Sequence, residues 1–306
     1  MILPSKFCAV FGIGLFLALG HLISAPQVSA QSNQGQSVAV GPQYDSTHVY
    51  VAHADLEKFV NSFIATFGGT ATKAGVTNVA PVPSSTEFQA VISPVGLLSV
   101  FAFQTPIPYP LGAERDGYMV SDMDQAIAAA RAAGAAVIVE PFSDPIGKDA
   151  VIQFPGGVNL QLYSHFAPTK RPPLEFIFEN RVYLSRDDAD NFVRSFNGFS
   201  GGKVISDDKQ ADAGEIGRKG ETYRRIRLES LFGNALVLVT DGHLPYPFGR
   251  EMTGYEVKEL GATLAKAEAA GAKALSGHYA ASDRDTAIVE FPGGYIAEIH
   301  SAKSSK

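Results

Sequence analysis

The sequence is short of several residues that would make its chemistry easy to name. It holds one cysteine, Cys8, and no tryptophan in 306 residues. Cys8 lies in the apolar run FCAVFGIGLFLALG, fourteen residues from Phe7 to Gly20. That is short of the ~20 apolar residues a membrane-spanning helix needs. One lysine precedes the run, and the small residues Val28-Ser29-Ala30 follow it. This order predicts a secretory signal peptide over residues 1–30, export to the periplasm or the exterior, and no stable span after cleavage. No small-residue lipobox precedes Cys8, so it does not read as a lipid site. A chain that begins at Gln31 has no cysteine, which excludes disulfides, a thiolate nucleophile and Cys–metal sites.

Positive charge is sparse too. Lys and Arg number 25 against 31 Asp and Glu, a formal net charge of -6, with no basic run longer than a pair such as Arg224-Arg225. A phosphate-tracking surface needs more than that, so nucleic acid is excluded as a partner. No nucleophile elbow for Ser-His-Asp catalysis occurs. No phosphate loop is visible: GIG at 12–14 lies in the leader with no strand before it. What remains is a globular composition, 45% hydrophobic and 18% charged, with length for two domain-sized cores.

The chain is written twice. HVYVAHADLEKFVNSF (His48 to Phe63) aligns without a gap to RVYLSRDDADNFVRSF (Arg181 to Phe196) at an offset of 133. A four-residue insertion then moves the offset to 137, where it stays. PIPYPLGAERDGYMV (Pro106 to Val120) meets HLPYPFGREMTGYEV (His243 to Val257), and FPGGVNLQLYSH (from Phe154) meets FPGGYIAEIHS (from Phe291). Within each copy a finer pattern appears. Alternating apolar residues open a strand, a 3.6-period stretch such as Leu56, Phe59, Val60 and Phe63 makes a helix, and further strands follow. Each quarter therefore reads β-α-β-β-β. A single quarter leaves one sheet face open, so quarters should pair into cups with helices outside. The predicted organisation is α+β, four βαβββ modules paired as two domains, 44–166 and 177–301. Residues 31–43 read as a flexible leader, 167–176 as a proline-rich linker, and 302–306 as a tail.

This pattern resembles the vicinal oxygen chelate superfamily, the fold of glyoxalases, bleomycin-resistance proteins and extradiol dioxygenases, here with two tandem domains. The resemblance rests on the paired modules, the Asp122 helix start and the FPGG strand that ends in Gln161 or Glu298. It implies a divalent ion (Zn, Ni, Mn or Fe) in a working cup, held by a first-strand histidine and a final-strand carboxylate. Carried over position by position, the first cup has His48, Gln161 and, at a third place, Arg115 or Asp116. The fourth place falls near Val100, which cannot ligate, and Gln104 is out of register. His48, Arg115 and Tyr118 are the candidate catalytic residues; His48, Gln161 and Asp116 are the candidate metal ligands. In the second cup Arg181 and Glu298 stand at the His48 and Gln161 places, Met252 or Thr253 and Val237 at the others, and an ion pair is expected where a metal would sit.

His53, His165 and His300 read as solvated at strand ends, and Ser206 to Glu221 as a mobile loop. Two functional classes stay open. One is a glyoxalase-like, metal-dependent lyase or isomerase, with a dioxygenase the lesser alternative. The other is a metal-free protein of the bleomycin-resistance type that sequesters a small molecule, as a monomer or homodimer.

Overall fold

The structure, a computed structural model, describes residues 37–79, 82–110 and 112–303. The predicted signal segment 1–30 lies outside them, as do part of the leader and of the tail. The described residues form one compact unit.

The first half runs β1 (Ser46–Tyr50), α1 (Leu56–Phe67), β2 (Thr70–Ala71), β3 (Gly75–Thr77), β4 (Thr86–Ser93) and β5 (Gly96–Phe103), then β6 (Asp116–Met119), α2 (Met123–Ala132), β7 (Ala136–Ser143), β8 (Gly147–Phe154) and β9 (Val158–His165). The second half repeats it. β10 (Glu179–Leu184), α3 (Arg186–Ser200), β11 (Lys203–Asp212), β12 (Thr222–Glu229) and β13 (Asn234–Val239) come first. β14 (Met252–Glu256), α4 (Leu260–Ala269), β15 (Lys273–Ala274), β16 (Tyr279–Ala280), β17 (Arg284–Phe291) and β18 (Tyr295–Ala302) complete it.

Each half is one nine-stranded mixed sheet, ordered β2-β4-β5-β1-β6-β9-β8-β7 and β11-β12-β13-β10-β14-β18-β17-β15, with β3 on β4 and β16 on β17. The two modules of a half join through their first strands, antiparallel, with Thr47 opposite Asp116 and Asn180 opposite Thr253. The fold is therefore α+β with two cupped sheets.

Local chemistry explains the elements. Asp122 caps α2 by accepting from the Gln125 amide at 2.9 Å, and Ser185 caps α3 by accepting from the Asp188 amide at 3.1 Å. The repeated FPGG is a turn requirement. Gly156 and Gly157, like Gly293 and Gly294, all have φ between 81° and 87°, a region that side chains disfavour and tight hairpins demand.

The helices lie outside the cups, and they also join the halves. α1 packs on α4 and α2 on α3. One core gathers Val49, Phe59 and Phe63 with Tyr255, Ala267 and Ile299; the other gathers Tyr118, Ile127 and Phe154 with Phe192, Val237 and Phe232. Tyr118 stacks on Phe232 at 4.5 Å across the divide. Neither half closes its helix side alone.

Two predicted segments differ. The end of the leader is fixed: Val38 is buried, its carbonyl accepts from the Ser121 amide, and Ala39 bridges Val120. The charged stretch Ser206 to Glu221 is not a loop. It forms most of β11 and a 3-10 turn at Ala213–Ile216, because its strand pairs with β12 and buries Ala211, Ala213 and Ile216.

Candidate functional site

Strand parity decides which side chains reach a cup. On β1, Val49 enters the helix-side core, so Ser46, His48 and Tyr50 face the other way, into the first cup. On β6 Met119 faces the cup, and so does Gly117. A Cβ there would stand 2.8 Å from His48 Nε2, so glycine is what makes room for the imidazole. Asp116 and Tyr118, one residue either side, point away.

The first cup encloses a cavity of about 430 Å³. Its walls are aromatic, with Tyr50 stacked on Phe101 at 5.4 Å and Phe88 against Phe101 at 5.3 Å. His48, 2% exposed, sets its Nδ1 3.3 Å from Glu114 Oε1. Glu114 also accepts from the Tyr50 hydroxyl and the Gly112 amide, both at 2.7 Å. Burial opposes the Glu114 charge, but the hydrogen bonds from His48 and Tyr50 and the His48 charge hold its carboxyl below the usual range. Across the cup, Gln161 donates Nε2 to Asp149 Oδ1 at 2.7 Å. Burial first, then the Asp144 charge, pushes the Asp149 carboxyl up to about 7. The linker reaches this cup as well, since Thr169 and Arg171 line its mouth.

The structure thus brings His48 and Gln161 together in one cavity and separates them from the other three candidates. Asp116 is not a ligand in this cup. Its side chain lies on the opposite face of β6, fully buried, with neither oxygen hydrogen-bonded, and burial followed by the Glu251 charge raises its pKa well above the usual value. Tyr118 is not at the cavity either, because it is packed against Phe232 in the shared core. Arg115 precedes β6 and lines a separate, smaller cavity at the seam between the halves. The residues missed from sequence are Glu114, Asp149 and the aromatic wall. Their available signal was parity: Tyr50 is two residues beyond His48, and Asp149 pairs with Tyr163, two beyond Gln161.

The divalent ion that the resemblance implies needs donors that converge. Gly117 offers none at the third position, and Gln161, whose Nε2 donates to Asp149, brings only its neutral Oε1. Among the described residues no three His, Asp or Glu side chains form a group that could hold a metal ion. The donors present do not fit one.

The matching volume of the second half is filled. At the His48 place, Arg181 puts Nη1 3.4 Å from Glu298 Oε1 and Nη2 3.6 Å from Glu215 Oε1. Arg284 grips Glu179 in a fork at 2.5 and 3.0 Å. Arg225 reaches Glu215 at 3.1 Å, and Arg227 reaches Asp283 at 3.1 Å. His300 is not solvated: it is 2% exposed, with Nδ1 2.7 Å from Glu298 Oε2. Thr286 also donates to Glu298. Burial opposes the Glu298 charge, but His300 and then Arg181 pull its carboxyl down to about 2. Gly254 repeats the Gly117 device, since a Cβ there would meet Glu298 Oε2 at 2.7 Å.

No family model and no curated protein sequence matches this chain. Solved structures do. A triple mutant of 4-hydroxymandelate synthase from Streptomyces coelicolor aligns with a TM-score of 0.57 at 11% identity, over 85% of this chain and 92% of that one. A xylose isomerase-like TIM barrel/4-hydroxyphenylpyruvate dioxygenase fusion protein aligns with a TM-score of 0.51 at 14% identity, over 88% of this chain and 50% of that one. The chain therefore spans about half of the fusion protein. At such identities the likeness is one of fold, and the fold is the tandem vicinal oxygen chelate arrangement.

Proposed function

We propose that this is a small-molecule binding protein that takes one oxygenated, ring-sized ligand into its first cup without a resident metal ion. One observation carries the reading. The first cup is an open cavity of about 430 Å³ with aromatic walls and polar anchors that include His48 and Gln161, but among the described residues no three His, Asp or Glu side chains converge there as metal ligands. An apolar cavity with a few placed polar groups is the usual form of a ligand site. Two structures sharing the fold are named for 4-hydroxymandelate and 4-hydroxyphenylpyruvate, and an aromatic ring suits walls made of Tyr50, Phe88 and Phe101.

A second reading is favoured by the His48–Glu114 contact at 3.3 Å. An imidazole oriented by a carboxylate and facing a cavity is the arrangement of a general base. A bound ligand with an acidic C–H beside a carbonyl would lose that proton to Nε2, while Glu114 offsets the charge gained by the ring. Binding and turnover use the same cup, so one set of variants addresses both. Export, read from residues 1–30 alone, belongs to the same proposal, and N-terminal sequencing of secreted protein that starts at Gln31 would support it. No helix among the described residues is long and apolar enough to cross a membrane.

The test is a thermal-shift and calorimetric screen of hydroxylated aromatic keto and hydroxy acids, in buffer with a chelator. The expected result is saturable binding by at least one compound, lost in Phe101→Ala and weakened in His48→Ala. Binding that appears only after a divalent ion is added overturns the metal-free reading. Binding indifferent to both substitutions removes the first cup as the site.

A further inference from the structure

A second cavity, of about 140 Å³, lies where the halves meet, with walls from both. The first half gives Tyr50, Gly112 and Arg115; the second gives Arg250, Glu251, Thr253 and neighbours on β18. Neither arginine is a relic of the repeat. Met252 stands at the second-half place of Arg115, and Ala113 at the first-half place of Arg250. Each half thus contributes one guanidinium where its counterpart has an apolar residue.

Their electrostatic situation differs from that of the arginines in the second cup. Arg181, Arg225, Arg227 and Arg284 all have carboxylates within ion-pair distance. Among the described residues Arg115 and Arg250 have none, although both face the same small cavity. The carboxylate that shares it, Glu251, accepts from Asn180 Nδ2 at 2.9 Å. Burial, the largest influence on that carboxyl, pushes its pKa up to about 7. Two like charges at one cavity repel unless an anion lies between them, and a guanidinium fork matches an oxyanion bidentately.

We propose that this seam cavity binds a small oxyanion, the free phosphate ion or the carboxylate or phosphate group of a small molecule, between Arg115 and Arg250. The site is distinct from the first cup, whose walls include neither arginine. Tyr50 is a wall of both cavities, so the two sites are neighbours.

Isothermal titration of the full chain with inorganic phosphate at low ionic strength tests this, with chloride at matched ionic strength as control and acetate as a second arm. The expected result is saturable, single-site phosphate binding, weakened about tenfold in either Arg115→Met or Arg250→Met, the order of one lost charge-assisted hydrogen-bonded pair. Glu251→Gln should tighten it severalfold, because a competing negative charge is gone. Arg171→Met, at the cup mouth, should leave it unchanged. Acetate binding with the same variant pattern supports a general carboxylate site, and phosphate alone supports a phosphate site. Arg250 is exposed, so its variant keeps the test decisive if Arg115→Met folds poorly. No saturable heat with either anion overturns the proposal. So does phosphate binding that ignores both arginine variants, or that falls equally in Arg171→Met.

Discussion

His48 and Arg181 hold the same place in the same register, on β1 opposite Ser99 and on β10 opposite Leu236. One looks into a cavity and the other is locked among carboxylates. The backbone devices that shape both cups are kept in both halves: the glycine behind the first strand, the paired positive-φ glycines of FPGG, and the antiparallel join of first strands. The cup-facing side chains are what diverged. Phe88 and Ala90 in one cup correspond to Arg225 and Arg227 in the other, Ser46 to Glu179, and Tyr163 to His300. One copy spends its interior volume on a ligand-sized space, and the other closes that space with opposite charges.

A filled cup is not automatically a stronger one. Taking charges out of water costs several kcal/mol per ion, which their mutual attraction only offsets when all are present. The network should therefore be costly to break rather than rich in net stability. Arg181→Ala leaves Glu298 and Glu215 buried without their shared cation, and should lose about 3–5 kcal/mol. His48→Ala, the matching change in the open cup, leaves Glu114 still held by Tyr50 and Gly112 and should cost about 1–2 kcal/mol. Urea unfolding of the two variants measures both. Equal losses would break the comparison.

Much of the architecture was legible in the sequence, because a constant offset and a helix-then-strand rhythm report backbone geometry directly. The faces of β1 and β9 could be read once His48 and Gln161 were placed. Other parts were not legible, for physical reasons. Asp116 leaves the cup because the cup-facing place on β6 falls one residue later, at Gly117, and a one-residue shift reverses every side chain on a strand. Glu215 reaches the second cup from a 3-10 turn in the stretch where that half is longer, and polarity alone reads as a loop there. The helix pairs α1–α4 and α2–α3 were hidden since an apolar stripe such as Phe59 and Phe63 does not name the surface it meets.

The two cups should also answer pH with opposite signs. Glu298 has a carboxyl near 2 in the fold and about 4.3 when unfolded. Its contribution is complete above about pH 4.3 and is lost as pH falls toward 2. Asp149, at about 7 in the fold and about 3.9 unfolded, behaves in reverse. The unfolded chain gives up that proton first, so stability declines as pH rises from about 4 to about 7 and then levels. Urea midpoints between pH 3 and 8 should show a neutral-side decline that Asp149→Asn flattens, and an acid-side decline that Glu298→Gln makes shallower. If both variants act on the same limb, the assignment of one slope to each cup is wrong.

The smallest effect tests a position where the copies differ by a single atom type, Gln161 and Glu298. Gln161→Glu installs the second copy's carboxylate in the first cup, 2.7 Å from where Asp149 now accepts an amide hydrogen. Two acids at that distance cannot both ionise freely. In the second cup the same glutamate is tolerated because Thr286, not an acid, stands at the Asp149 place, and Arg181 and His300 supply positive charge. Gln161→Glu should therefore cost about 1–2 kcal/mol at pH 8, and little at pH 5, where one proton can be shared. Adding Asp149→Thr, which copies Thr286, should recover most of the loss at pH 8 by removing the repulsion. The double-mutant coupling, measured by urea unfolding at both pH values, separates this account from simple misfit. A Gln161→Glu penalty that is the same at pH 5 and pH 8, and unrelieved by Asp149→Thr, would mean that shape and not charge keeps glutamine in the open cup.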